Sequence, residues 1–411
     1  MVAGAADRYV NLSVTYRGWL MLRRVGSVIG VVLGLTGLLS GCSGKPIVGA
    51  ILPSAGAAAA YGESVESGMR LALSDARERG ELPTGFEIVW AYAPDPDSTV
   101  SELRKMVEEK DVKMVIGGIT SGEAMALLPA LEELDIVCLS PSASAPGLAK
   151  ESRLFFRIYP SDELEGHTAA NFLHEKLGKR EVVLFTGETE YTRGITPEFL
   201  KQYEQALGGR VVDTIALNED GWQQRATSLL GRGTVEAVYI VGYSELILEA
   251  ILFLHEQGFE GRIITTATIF SGQVIREAGE AAEGVMFPLP PFDRTSEKEP
   301  VLSFVNKYMD TYQRAPDVFA AHGYDAMRLT IQVMNIARPP ETSEILRAFN
   351  VGVTEFMGVT GPILLDDYGD VKHYPMMFIV KGGHVLSYQR YLEAERRRIV
   401  NQVQDLLTDG G

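Results

Sequence analysis

Short runs of β-branched and apolar residues alternate with longer amphipathic stretches along most of the chain. Runs at 46–52, 86–92, 113–118 and 135–139 predict strands, as do those at 181–186, 210–216, 236–241 and 262–266. Between them, apolar positions recur at helical spacing, as with Val65, Met69, Ala72 and Ala76, or Ala124, Leu127, Leu128 and Leu131. Such alternation predicts βαβ units, parallel sheets and right-handed crossovers. It runs through two sets, about 46–157 and 158–291. Helical patterns at 298–349 follow with no strand between them, and strand-like stretches at 361–365, 375–380 and 384–387 come after. One open sheet holding every strand would be unusually wide. The expected fold class is therefore α/β, with two lobes built on parallel central sheets. Residues 390–407 predict a charged, solvated helix.

The N-terminus carries a different pattern. Arg23-Arg24 precede an apolar run at 25–39, and Leu39-Ser40-Gly41-Cys42 follows. A basic start, a short apolar stretch and small residues before a cut define a secretion signal. The run is short of the ~20 residues that span a bilayer. The stretch resembles a bacterial lipobox, which implies cleavage before Cys42 and lipidation of its thiol. Met21-Leu-Arg-Arg24 reads as a better start than Met1. Ser43 does not supply the aspartate that favours inner-membrane retention in Gram-negative lipoproteins.

Charge narrows the partners. The chain of 411 residues has a formal net charge of −16. Residues 1–41 hold four arginines against Asp7, a net of +3, so the remainder carries −19. A surface that acidic repels phosphate backbones, which excludes nucleic acid as a partner. The second cysteine, Cys138, sits in the apolar run 135–140 and reads as a buried hydrophobe. The six histidines form no HExxH pair and show no zinc-ligand spacing with cysteine, and no G-x-S-x-G elbow or P-loop occurs. The expectation is a protein with no catalytic residues, no metal and no cofactor.

Polar chemistry gathers where strands end. In open α/β sheets ligands bind at the carboxyl ends of strands. One such end reads Gly117-Gly-Ile-Thr-Ser-Gly122, just before a helix predicted near Glu123, where Ser121 and the helix N–H groups suit an anion. An ordinary N-cap is the competing reading. A second reads Leu139-Ser-Pro-Ser-Ala-Ser144, and a third runs from Pro53 to Tyr61. In the second set Tyr191 and Tyr243 follow strand ends, where tyrosines can wall a pocket and still donate a hydrogen bond.

These stretches resemble type I periplasmic binding proteins. The resemblance rests on Tyr61-Gly-Glu-Ser64 and Gly68-Met-Arg-Leu-Ala72, then Val115-Ile-Gly-Gly118 with Thr120-Ser-Gly122. Ser140 to Leu148, Phe155-Phe-Arg-Ile-Tyr-Pro-Ser-Asp162, Gly323-Tyr-Asp-Ala326 and Gly358-Val-Thr-Gly-Pro362 follow in the family's order. The branch it is most similar to is the leucine/isoleucine/valine-binding proteins of ABC importers, and it covers about 46–388. It implies two Rossmann-like lobes joined by three crossovers near 157–161, 288–293 and 359–362. The implied division is 1–41 signal peptide, 46–157 plus 292–359 lobe 1, 158–291 plus 360–389 lobe 2, and 390–411 tail. It implies ligand capture by hinge closure, with the ligand carboxylate at Ser121, Gly122, Ser142 and Ser144 and with Tyr61, Tyr191 and Tyr243 lining the pocket; Ala143 and Thr268 complete the expected ligand-binding set, Thr268 as a residue that suits a neutral polar group. The implied role is an extracytoplasmic lipoprotein, anchored to a bacterial membrane through Cys42, that hands a small amino acid, amide or carboxylate to an ABC permease. A ligand sensor on the same fold is the alternative.

One departure bears on the ligand. In the amino-acid-binding branch an acid after the strand matching 262–266 accepts the ligand ammonium. Here the stretch reads Thr265-Thr-Ala-Thr-Ile-Phe270. Either Glu188 or Glu190 reaches in from the neighbouring loop, or the ligand has no ammonium. The expectation leans to a small carboxylate or amide.

Overall fold

The first four predicted strand runs join a fifth in one all-parallel sheet. The computed structural model describes residues 44–270, 274–353 and 355–408. The expected signal segment and Cys42 lie outside the described residues. The strands are β1 (Ile47–Pro53), β2 (Glu87–Ala93), β3 (Met114–Ile116), β4 (Val137–Ser140) and β5 (Phe155–Arg157), in the order β2-β1-β3-β4-β5. β6 (Glu181–Thr186), β7 (Arg210–Ala216), β8 (Ala237–Val241), β9 (Arg262–Thr265) and β10 (Met286–Leu289) repeat that order as β7-β6-β8-β9-β10. A small ribbon follows, β11 (Phe356–Gly358) with β12 (Gly361–Ile363). β13 (Met376–Lys381) then pairs antiparallel with β10, and β14 (His384–Ser387) with β13. Three strands, β5, β10 and β11, lie outside the predicted runs. β5 and β11 are three residues long and β10 carries Pro288, so none shows the run that marks a strand.

The repeated 2-1-3-4-5 order is a doubly wound topology, with the direction of winding reversing between β1 and β3 and between β6 and β8. β4 and β8 are buried along their whole length, as parallel strands covered on both faces must be. Eight helices matter to the site: α1 (Ala59–Glu78), α2 (Pro96–Lys110), α3 (Ser121–Leu134), α4 (Asp162–Asn171), α5 (Glu190–Leu200), α6 (Ser244–Glu256), α7 (Val318–Ile336) and α8 (Tyr388–Thr408). Their starts are encoded locally. Asp95 accepts the Ser98 N–H at 2.7 Å ahead of Pro96, and Thr120 forms a reciprocal capping box with Glu123. α3 therefore opens two residues before the expected Glu123.

The chain passes from the first sheet to the second after β5, returns after β10 through α7, and leaves again by the ribbon. α7 lies against α1 at backbone distance. A Cβ on Gly68 would stand 1.9 Å from the Ala320 carbonyl oxygen, and one on Gly323 2.3 Å from that of Val65. Buried charges pin the passes. Arg157, fully buried, pairs with Asp370 and donates to the Ala145 carbonyl at 2.7 Å. The Asp325 carboxylate accepts the N–H groups of Val359 and Thr360 at 2.9 Å each and the Thr360 hydroxyl at 2.7 Å. Burial pushes Asp325 up to about 6 despite those bonds. α8 begins two residues before the expected tail, with Tyr388 edge-on to Phe172 at 4.7 Å, and its described side chains beyond Tyr391 are mostly exposed. No described helix is long and apolar enough to cross a membrane.

Candidate ligand site between the two sheets

The carboxyl ends of both sheets meet around one small cavity of about 30 Å³. It is lined by Tyr61, Ser121, Ser142, Ser144, Tyr191, Tyr243 and Thr268 from the sequence expectation. Each follows a strand: β1, β3, β4, β6, β8 or β9. Gly122 and Ala143 are outside the lining. Gly122 is turned towards Pro96, and the Ala143 N–H is taken by the Ser140 hydroxyl at 3.0 Å.

The serines divide their work. Ser140 donates to the Gly118 carbonyl at 2.7 Å and Ser142 to the Ile119 carbonyl at 2.6 Å, so both hold the β3 and β4 loops together. Ser121 accepts the Ala145 N–H at 3.1 Å, which leaves its own proton for a ligand. Capping falls to Thr120, so the competing reading of Ser121 as the N-cap does not hold. Thr268 donates to the Gly242 carbonyl at 2.5 Å and retains acceptor capacity.

The aromatics form a chain across the cavity. Tyr191 stacks on Tyr243 at 5.3 Å, Tyr243 tilts against Tyr61 at 5.8 Å, and Tyr61 meets Phe319 edge-on at 4.8 Å. The Tyr61 hydroxyl contacts the Ser244 hydroxyl, accepts the Ser244 N–H at 3.1 Å and points to the Thr268 carbonyl. It thus bridges α1, on the first sheet, to α6, on the second. Burial pushes Tyr61 up to about 12.

Six further residues line it that the sequence did not single out: Ile119, Thr120, Tyr159, Glu165, Ala267 and Phe319. Glu165 changes the chemistry. It is buried in α4, and one carboxylate oxygen accepts the Ala267 N–H at 2.8 Å. Burial, reinforced by the nearby Asp162 carboxyl, holds Glu165 well above the usual carboxylate range. Burial also pushes Asp162 up to about 7, against the opposing pull of Ser144 and Arg157. In the sequence Glu165 is one of three acids in the first turn of a helix, a position where exposed acids are ordinary. The expected alternatives do not enter the cavity. Glu188 is exposed, and Glu190 pairs with Arg193 at 2.5 Å on the surface of α5. A carboxyl does line the cavity, but it is Glu165 of α4 and does not come from the segments after β9 or β6.

Two doubly wound lobes with a polar–aromatic cavity between their strand ends define a two-lobed solute receptor. The chain belongs to the periplasmic binding protein family, which it matches over residues 47–383. That family is extracytoplasmic. A leucine-, isoleucine-, valine-, threonine- and alanine-binding protein of Pseudomonas aeruginosa is 25% identical over 331 residues, 78% of this chain and 86% of that protein. Among solved structures, a branched-chain amino acid transporter substrate-binding protein of Streptococcus pneumoniae in complex with isoleucine superposes with a TM-score of 0.74 at 24% identity, covering 84% of this chain and 98% of that one. A solute-binding protein of an R. palustris ABC transporter in complex with benzoate superposes with a TM-score of 0.73 at 22% identity, covering 84% and 96%.

Proposed function

We propose that this protein captures a small amino acid between its lobes and delivers it to an ABC permease, as a lipoprotein held to the membrane by Cys42. The observation that carries the ligand class is Glu165, a buried carboxylate on the same cavity as the Ser121 and Ser144 hydroxyls. The hydroxyls and the first-turn N–H groups of α3 suit the ligand carboxylate, and Glu165 suits its ammonium. The five rings of Tyr61, Tyr159, Tyr191, Tyr243 and Phe319 supply the apolar wall.

The cavity has room for about one water. Admission of an amino acid therefore requires the lobes to part, breaking the Tyr61–Ser244 contact, and the ligand then favours reclosure.

A second reading has its own support. A neutral Glu165 can donate a hydrogen bond, so the same ring of aromatics would accept an aromatic or aliphatic carboxylate without an ammonium. Calorimetry with leucine, isoleucine, valine, alanine, threonine and benzoate separates the two. Binding of an amino acid ionises Glu165, so it releases a proton and tightens as pH rises. Binding of a carboxylate keeps the proton and weakens as pH rises. Tight benzoate binding with no response to any amino acid would overturn the amino-acid reading.

A further inference from the structure

On the outer side of α4, away from the residues that line the cavity, three metal-ligating side chains converge. Glu163 and His167 are four residues apart and share one face of α4, and Glu198 faces them from α5. The two helices are held at backbone distance, since a Cβ on Gly166 would lie 3.0 Å from the Phe199 nitrogen and 3.3 Å from the Ile195 carbonyl oxygen. The positions of the facing side chains are thus set by rigid elements. One candidate ligand atom from each of the three residues lies within 4.8 Å of the other two.

The His167–Glu198 edge is the informative one. His167 Nε2 is 3.4 Å from Glu198 Oε2, yet it is buried and has no hydrogen-bond partner among the described residues. A buried ring nitrogen left without a hydrogen bond is costly. Zinc bonds of ~2.0–2.1 Å to nitrogen and ~2.0–2.2 Å to oxygen, opened to a tetrahedral angle, separate the two ligand atoms by about 3.4 Å. The edge is too long and misaligned for a good hydrogen bond and matches the edge of a tetrahedral zinc site.

We propose that Glu163, His167 and Glu198 bind one divalent transition-metal ion of the zinc class, with water in the fourth position. Imidazole with two carboxylates suits zinc, whereas calcium takes six to eight oxygens and magnesium a near-octahedral oxygen shell. Glu198 Oε2 also lies 3.4 Å from Lys201 Nζ, a contact the ion would displace. Neither a HExxH pair nor cysteine–histidine spacing marks this set in the sequence, because its ligands come from two helices, Glu163 and His167 on α4 and Glu198 on α5. Bound metal would tie α4, which carries Glu165, to α5, which carries Tyr191.

The probe is the metal alone, so the outcome does not depend on which solute the cleft takes. Untagged full-length protein is titrated with Zn²⁺ by calorimetry and with Co²⁺ by visible absorption, with Mg²⁺ and Ca²⁺ as controls. The expected result is one saturable Zn²⁺ site and a Co²⁺ spectrum of tetrahedral intensity. His167→Gln and Glu198→Gln, each folded by circular dichroism, should weaken Zn²⁺ by at least about tenfold, since losing even an outer-shell partner costs that much. No saturable site, equal binding of Ca²⁺, or Zn²⁺ affinity unchanged in both variants would overturn the proposal.

Discussion

At the scale of single residues, the proposed selectivity of the cleft rests on Glu165, a buried carboxyl on the cavity wall. If it accepts a ligand ammonium, removing its charge leaves a buried cation without a partner, at a cost of ~3–5 kcal/mol. Glu165→Gln should then weaken amino-acid binding by about two to three decades, measured by calorimetry, while affinity for a carboxylate without an ammonium stays near that of the native protein. Asp162 sets a stability slope. Its carboxyl is raised by burial to about 7, so between about pH 4 and 7 the folded protein holds a proton that the unfolded chain has lost. Its contribution to stability is full below about pH 4 and is lost as pH rises to 7, at up to about 1.4 kcal/mol per pH unit. Chemical denaturation of the native protein and of Asp162→Asn, both ligand-free, should show this decline as the difference between the two across that window, with Glu165 and Asp325 keeping their own contributions in the variant. His322 works in the opposite sense: burial lowers it to about 3, so between about pH 3 and 6.5 the unfolded chain binds a proton that the folded one does not, and its contribution rises with pH.

At the scale of elements, the α1–α7 contact joins the helix after β1 to the long helix that follows the second sheet. It depends on two glycines whose missing side chains let backbone meet backbone. Gly68→Ala forces a methyl to within 1.9 Å of the Ala320 carbonyl oxygen, so the helices must separate. Overpacking of this kind costs ~1–3 kcal/mol or more. A lower Tm in calorimetric scans is expected, by a few degrees or more, whereas Gly80→Ala, at an exposed turn with nothing within 4 Å, strains only its own backbone (φ +67°).

At the scale of the whole molecule, the cavity is closed by a contact between α1 and α6, the Tyr61–Ser244 pair. A ligand that touches both lobes must favour closure over opening. Small-angle scattering should show a smaller radius of gyration on saturation with a true ligand, and Tyr61→Phe should reduce the share of closed molecules in its absence. An unchanged scattering profile at saturation would contradict capture by closure. Anchoring is a separate property of the chain's first residues. Cys42→Ala should give uncleaved or unanchored protein, read by membrane fractionation and by mass spectrometry of the N-terminus.

The sequence by itself determined the α/β class, the two sets of strands and most of the cavity lining. Strand runs such as 181–186 and 210–216 are written in short-range periodicity, and doubly wound sheets place their ligand loops at strand ends. Seven lining residues were legible because each lies in the loop or the helix start that follows a predicted strand. Tertiary structure alone decided the rest. Glu165 and Phe319 sit on helices whose local patterns say only that one face is buried. Their meeting with Ser121 and Thr268 is set by how the lobes pack. The same holds for the carboxyl on the cavity wall. The stretches nearest β9 and β6 offer no acid that enters the cavity, whereas Glu165 comes from α4, because the chain crosses between lobes just before that helix, at Tyr159 to Ser161, and turns its first turns into the cleft.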